Sequence, residues 1–259
     1  MSALSSRKSS PPWLLRDPSD SARARLFCFR YSGVGASMFS QWPRLVGDIE
    51  ICPIQLPARE NRLREPHFGT YEELARSIID PLLPYLDRPF AFFGHCAAAL
   101  PAFEVAHRLH EEGLPTPDSL VVSAQVAPHH CPFDRYLELA DEQLLVELGA
   151  LVQARGGKPH PMLLGMMLDV LRQDLESNRV YRRPKPVSLP TRIVALHWES
   201  DVEIRQDQLL GWSQYAESVS FEVLDGGHFD FLSAPAELMD VLARSLGSTA
   251  SSIDEPAMG

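Results

Sequence analysis

Short apolar segments alternate with helical patterns along most of the 259-residue chain. The segments are bounded by Gly, Pro or Asp, as the strands of a buried parallel sheet usually are. The expected strands are residues 26–31, 49–55, 89–93, 119–123, 191–197 and 219–224. The expected helices between and after them are residues 71–86, 97–112, 206–215 and 234–246. The alternation predicts an α/β fold in which a mostly parallel central sheet is flanked by helices.

One long segment interrupts this alternation. Residues 133–185 contain no strand pattern but two helical patterns, at 141–153 and 162–182. The sequence ARGGKPHP separates the two, and its glycines and prolines break a helix. A single crossover between parallel strands needs only one helix, whereas this segment contains two. We therefore predict an inserted helical lid over the carboxyl edge of the sheet, where such folds bind ligands.

Composition and charge indicate a globular domain and argue against some classes of partner. With 45% hydrophobic and 22% charged residues, the chain is expected to form one domain over residues 25–247. It would lie between a flexible segment at 1–24 and a disordered tail at 248–259. The net charge of −10 argues against nucleic acid and an anionic membrane as partners. Four cysteines without a CxxC pair indicate reduced thiols in a cytoplasmic protein.

The most specific local motif lies where the third expected strand meets the second helix. The strand runs into Gly94-His95-Cys96-Ala97-Ala98 and then directly into a helical pattern. This is the strand–turn–helix context of the nucleophile elbow G-x-S-x-G, with Cys in the Ser position and Ala98 in place of the second Gly. A helix N-terminus favours an anionic thiolate. The alternative is that Cys96 is a small buried residue at a strand end, which is common for cysteine.

Two later segments supply partners for a nucleophile. Asp225-Gly-Gly-His228-Phe229 follows the last expected strand, and Leu196 to Asp201 follows the strand before it. The order nucleophile, acid, histidine is that of the α/β-hydrolases. In this interpretation His228 removes the proton of Cys96, and Asp201 or Glu199 orients the imidazole. A histidine in a surface loop is the alternative interpretation of His228.

The turn after the first strand is a candidate oxyanion hole. Its sequence, Phe29-Arg-Tyr-Ser32-Gly-Val-Gly35, allows backbone N–H groups to turn toward the nucleophile. The two donors are expected to be the amides near Ser32 and of Ala97, directly after the nucleophile. A glycine-containing turn could also bind phosphate, but no Gly-Lys-Ser/Thr follows it. No cofactor is therefore expected. No metal is expected either, because the adjacent residues His129, His130 and Cys131 cannot easily converge on one ion.

Taken together, these motifs resemble one family, the type II (external) thioesterases of nonribosomal peptide and polyketide synthesis. The resemblance covers about residues 13–240. It rests on the first strand with its Ser-Gly turn, on Gln55-Leu-Pro-Ala-Arg59-Glu-Asn-Arg62, Arg88 to Cys96, Ser123 to His129, Leu171-Arg-Gln-Asp174 to Tyr181, and Gly227-His228-Phe229.

The resemblance implies an α/β-hydrolase fold with Cys96, Asp201 and His228 as the catalytic residues, and so favours Asp201 over Glu199. It also implies substrates held as thioesters on the phosphopantetheine arm of carrier proteins. We expect a monomer that binds such carriers transiently. The basic residues Arg179, Arg182, Arg183 and Lys185 are either a solvated face or a dock for an acidic carrier.

The chain departs from the family pattern at the nucleophile, at Ala98, at Arg30 and Val34 in the oxyanion loop, and at His197-Trp198. A thiolate that attacks a thioester makes another thioester, so the acyl group stays activated for a second thiol. Some relatives with Cys at this position resemble acyl or aminoacyl shuttles. We therefore expect acyl transfer between carrier proteins. The alternatives are an editing hydrolase that removes wrong acyl groups and a non-catalytic binding module on a hydrolase scaffold.

Overall fold

The computed structural model describes residues 13–154 and 156–247. The expected disordered tail at 248–259 and the first half of the expected flexible segment, residues 1–12, lie outside the described residues. Residues 13–24 were counted with that segment, but Trp13 and Leu14 are buried in the core. The indole of Trp13 lies under the Arg62 guanidinium, and Leu14 forms an antiparallel bridge to Ile54. The folded unit therefore includes residues before position 25.

A seven-stranded sheet forms the centre of the fold. Its strands are β1 (Ala24–Phe29), β2 (Leu45–Val46), β3 (Ile49–Pro53), β4 (Phe90–His95), β5 (Ser119–Ser123), β6 (Arg192–Trp198) and β7 (Val219–Leu224). They lie in the order β2-β3-β1-β4-β5-β6-β7, and only the pair β2–β3 is antiparallel. The predicted mostly parallel α/β architecture is confirmed. Strand β2 was not predicted, because two residues are too short for a periodic pattern.

The helices are α1 (Tyr71–Leu82), α2 (Ala99–Glu111), α3 (Asp141–Ala154), α4 (Pro161–Val180) and α5 (Ala236–Ser245). Helix α1 ends earlier than predicted and continues as a short 3-10 helix, since Pro84 has no N–H to donate the next α-helical hydrogen bond. Within the described residues, none of these helices has the length and apolarity needed to cross a membrane.

The helix predicted at residues 206–215 is present, but it is not an α-helix. The segment forms a 3-10 helix over Gln206–Gln214. Its buried side chains Leu209, Trp212 and Tyr215 repeat every third residue, which matches the three residues per turn of a 3-10 helix. The indole of Trp212 donates to the Gln125 carbonyl oxygen at 2.8 Å and so fixes this face against the loop after β5.

Helices α3 and α4 form the predicted insertion between β5 and β6. They close over the turn that follows β1. A Cβ at Gly33 would lie 3.2 Å from Cβ of Leu171 on α4 and 3.4 Å from Cδ2 of Leu148 on α3. At the far end of α4, the Tyr181 hydroxyl donates to Glu104 of α2 at 2.6 Å. The lid is therefore attached to the rest of the domain at the middle and at the C-terminal end of α4.

The end of β4 packs against the start of α2 with no room for a side chain. A Cβ at Gly94 would lie 2.5 Å from the carbonyl oxygen of Ala98 and 2.6 Å from Cα of Ala99. Both contacts are to backbone, which cannot move aside as a flexible side chain can. Glycine is required here by the close approach of the strand to the helix.

Gly94→Ala is expected to destabilise the fold by about 2 kcal/mol or more, in the range of overpacked cores. The matched control is Gly165→Ala within α4, where an added Cβ meets nothing within 4 Å. That change is expected to stabilise by about 0.5–1 kcal/mol, because alanine loses less backbone entropy in a helix. Urea unfolding measures both. Equal stability of Gly94→Ala and the native chain would contradict the packing argument.

Candidate active site

Cys96 lies at the bend between β4 and α2. Its φ of 53° is in the left-handed region, and it begins a 3-10 turn, Cys96–Ala98, that leads into α2. A non-glycine residue at positive φ is strained, which is typical of a nucleophile elbow. Ala98, where the motif has its second glycine, has an ordinary helical φ of −67°. The backbone at position 98 therefore does not need glycine.

His228 and Asp201 meet at the same edge of the sheet. Nδ1 of His228 lies 2.9 Å from Oδ2 of Asp201, and both side chains are buried. The other carboxylate oxygen accepts from the amides of Glu203 at 2.7 Å and Ile204 at 3.2 Å. Burial opposes ionisation of Asp201, but the hydrogen bonds from His228 and the two amides outweigh it, so its pKa is lowered. The ionised carboxylate thus fixes the orientation of the ring.

The sulfur of Cys96 faces this histidine. Sγ of Cys96, a ring nitrogen of His228 and a carboxylate oxygen of Glu203 all lie within 4.8 Å of one another. Nε2 of His228 is buried and has no hydrogen-bond partner among the described residues. Because Nδ1 is held by Asp201, Nε2 is the nitrogen left to exchange a proton with the sulfur.

Cys96 is a thiol rather than a thiolate in the resting site. Burial raises its pKa well above the ordinary value, and the charges of Asp134, Glu203 and Asp201 raise it further. The amide of Ala97 acts in the opposite direction but does not compensate. The expected anionic thiolate at the helix N-terminus is therefore wrong for this state. Proton removal has to accompany attack on a substrate.

The expected oxyanion loop is held by a buried ion cluster centred on Asp174 of α4. Its carboxylate accepts two hydrogen bonds from Arg30, both at 2.9 Å, and two from Arg59, at 3.0 and 3.2 Å. The amide of Gly33 donates to the same carboxylate at 2.8 Å, and Nε2 of His67 lies 2.9 Å away. The loop that contains Ser32 is thus fixed to the lid helix.

The cluster stays ionised although it is buried. Burial alone would raise the pKa of Asp174, but Arg30, His67 and the Gly33 amide together hold the pKa below its ordinary value. Since the Gly33 amide is occupied by Asp174, it is not available to a substrate oxygen. The amides near Ser32 and of Ala97 stay the predicted donors.

A cavity of about 630 Å³ opens beside the site, between the oxyanion loop, the two lid helices and the loop after β7. Its lining is largely apolar and includes Leu63, Met166, Met167 and Phe229. Cys96 and His228 are not part of this lining. Gly33 and Phe229 are part of it, and the ring of Phe229 lies 5.1 Å from that of His228, so the cavity lies next to the histidine.

Other candidate residues lie apart from this site. Glu199 is exposed, whereas Asp201 contacts the histidine. Within residues 13–154 and 156–247, His129, His130 and Cys131 form no converging group of metal ligands, and such a group is found at Cys96, Glu203 and His228.

The expected basic cluster is partly structural. Arg183 donates two hydrogen bonds of 2.8 Å to Glu104 of α2. Arg179, Arg182 and Lys185 are exposed. Both interpretations of the exposed part, a solvated face or a dock for a carrier, stay open.

Sequence reasoning did not identify the roles of Arg30, Glu203, Asp134 and Arg135 in this site. Arg30 stood out only as an interruption of the loop pattern, and its partner Asp174 lies 144 residues away, so no local pattern joins them. Glu203 could have been suspected from its position two residues after Asp201. Asp134 and Arg135 sit at the start of the insertion and gave no signal.

Comparisons with known proteins identify the family of the chain. A model of the thioesterase domain family matches residues 24–246. The linear gramicidin dehydrogenase LgrE of Brevibacillus parabrevis is 32% identical over 91% of this chain and 93% of its own. The gramicidin S biosynthesis protein GrsT of Aneurinibacillus migulanus is 31% identical over 87% of this chain and 90% of its own.

Solved structures match as well. The RedJ thioesterase from the prodiginine pathway of Streptomyces coelicolor is 32% identical, with a TM-score of 0.73 over 87% of each chain. The type II thioesterase BorB from the borrelidin biosynthetic cluster is 26% identical, with a TM-score of 0.77 over 92% of this chain and 99% of its own.

Asp174→Asn is expected to destabilise the protein by about 3–5 kcal/mol, because it leaves Arg30 and Arg59 buried without a counter-charge. Asp169→Asn is the matched control on the same helix. Its side chain is 72% exposed and pairs with Arg172 at 3.1 Å. The control is expected to change stability by at most about 0.5 kcal/mol. Chemical unfolding compares the two, and similar losses from both variants would contradict the role given to the buried cluster.

Proposed function

Because the chain belongs to the thioesterase domain family, we propose that it processes acyl or aminoacyl thioesters carried by phosphopantetheinyl carrier proteins. The proposed reaction is transfer of the acyl group from one carrier to another through an acyl-enzyme on Cys96. The observation that carries this proposal is the thiol of Cys96 at the elbow, facing a histidine whose other nitrogen is held by Asp201. The names of the relatives, which refer to gramicidin biosynthesis, favour a role in assembly of such products.

The proposed chemistry consists of two half-reactions that use the same residues. Nε2 of His228 takes the proton from Cys96 as Sγ attacks the thioester carbon, and the charged ring is stabilised by Asp201. The amides near Ser32 and of Ala97 donate to the oxygen that becomes negative in the tetrahedral intermediate. The bond from carbon to the pantetheine sulfur then breaks, and this sulfur receives the proton from His228. A second carrier thiol repeats the steps in reverse and regenerates Cys96.

The sulfur nucleophile is the reason to favour transfer over hydrolysis. Both half-reactions exchange one thioester for another, so each is close to balanced in free energy and reversible. A serine in this position would form an oxyester, which is less activated toward a second thiol. The apolar cavity of about 630 Å³ beside the site offers room for an acyl chain or for part of the pantetheine arm.

The second candidate is an editing hydrolase that removes wrong acyl groups from carriers. The names of the solved structures favour it, since RedJ and BorB are described as thioesterases. Nε2 of His228, which makes no hydrogen bond within the described residues, could accept a proton from water as readily as from a thiol. In either case the protein would need no bound cofactor or metal of its own. It would act as a cytoplasmic monomer that meets its carriers transiently.

Replacing the sulfur by oxygen separates the two candidates. With an alanyl-loaded carrier and an unloaded carrier as acceptor, the native protein is expected to form more acyl acceptor than free acid. Cys96→Ser is expected to shift this ratio toward free acid by about tenfold, which corresponds to ~1.4 kcal/mol in relative barrier heights. Mass spectrometry of the carriers and chromatography of the acid measure the ratio.

Cys131→Ser is the control, because this buried cysteine lies outside the site, and it is expected to leave the ratio as in the native protein. Free acid as the main product of the native protein would favour the editing hydrolase. Neither product, in the presence of a competent carrier, would favour the binding module.

A further inference from the structure

Two carboxylates beside the nucleophile have no part in the steps described above. Oε2 of Glu203 lies 3.4 Å from Nε2 of His228, and the side chain is only 8% exposed. The Asp134 carboxylate, also close enough to raise the pKa of Cys96, accepts from the amide of Tyr136 at 2.8 Å. Burial raises the pKa of Asp134 to about 6.

The negative charges of these carboxylates disfavour the thiolate form of Cys96. Both raise the pKa of Cys96 and so make its ionisation harder. Arg135 compensates only part of the charge, because its guanidinium lies 2.7 Å from Glu203 and also pairs with Glu147 at 2.6 Å. A buried negative charge that disfavours the reacting thiolate is costly unless a cation joins it. Arg135 and the ring of His228 face Glu203 from the protein, and a cationic group of the substrate would offset the remaining negative charge.

We propose that Glu203, assisted by the negative charge of Asp134, binds the protonated α-amino group of an aminoacyl thioester. The supporting observation is geometric: Sγ of Cys96, a ring nitrogen of His228 and a carboxylate oxygen of Glu203 all lie within 4.8 Å of one another, and Nε2 of His228 is buried. The pocket between the three groups is therefore where the reacting part of the substrate lies. The inference rests on the proposed function and names its substrate class as aminoacyl rather than simple acyl.

The distances fit this role. In an aminoacyl-enzyme the amino nitrogen is three bonds from Sγ, which places it about 3–4 Å away by ordinary bond lengths. An oxygen of Glu203 lies within 4.8 Å of the same Sγ, so a charge-assisted hydrogen bond between them needs little movement. The same charge would repel an acyl group that carries a carboxylate.

The test compares two acyl groups that differ only in the amine. Alanyl and propionyl groups are loaded onto the same carrier, and the rate of transfer to Cys96 is measured by quenched-flow mass spectrometry. The native protein is expected to react at least about tenfold faster with alanyl, a discrimination of the size of one charge-assisted hydrogen bond. Glu203→Gln is expected to reduce this preference to about threefold or less, by loss of the charge.

Glu199→Gln is the matched control, because Glu199 is an exposed carboxylate in the same loop, and it is expected to keep the native preference. A native protein with no preference for alanyl would overturn the inference. Equal slowing of both acyl groups in Glu203→Gln would also overturn it, because this pattern indicates a structural role. Absence of any acyl transfer to Cys96 from either carrier would contradict the proposed function instead.

Discussion

The site depends on one backbone constraint, the close crossing of β4 and α2 over Gly94. This crossing forces Cys96 into a left-handed conformation and directs its side chain above the carboxyl edge of the sheet. The parallel order of the sheet brings the loops after β6 and β7 to the same edge, and with them Asp201 and His228. A reactive geometry thus follows from packing in the core, and the strain at Cys96 is maintained by contacts that the rest of the domain provides.

The lid helix α4 helps to fix the loops that form the site. Asp174 of α4 binds the loop after β1 through Arg30 and the Gly33 amide, and binds the segment after β3 through Arg59. Because one buried carboxylate holds all three elements, movement of α4 would disturb the loop that is expected to stabilise the oxyanion. The ion cluster therefore couples the position of the lid to the competence of the site. Two guanidinium groups surround its one carboxylate, whereas Glu203 and Asp134 are two carboxylates that share the one guanidinium of Arg135.

The fold was largely predictable because its signals are local. The strands β5 and β7 were predicted with their observed bounds, since apolar runs between turn residues define them directly. Residues 206–215 were predicted as a helix but not as a 3-10 helix. The apolar residues alone do not distinguish a repeat of three residues, typical of a 3-10 helix, from mixed repeats of three and four, typical of an α-helix. Cys96, Asp201 and His228 were found from motif order and resemblance. The links from Asp174 to Arg30 and from Glu203 to the thiol could not be found this way, because they depend on how distant segments pack.

The central claim is that the acyl group passes through the sulfur of Cys96. The most direct measurement is rapid acid quenching of the native protein with a loaded carrier, followed by intact-mass analysis and peptide mapping. The account predicts that the acyl mass appears on the peptide containing Cys96 and disappears when an unloaded carrier is added. Formation of product at full rate while that peptide never carries the acyl mass would contradict the account.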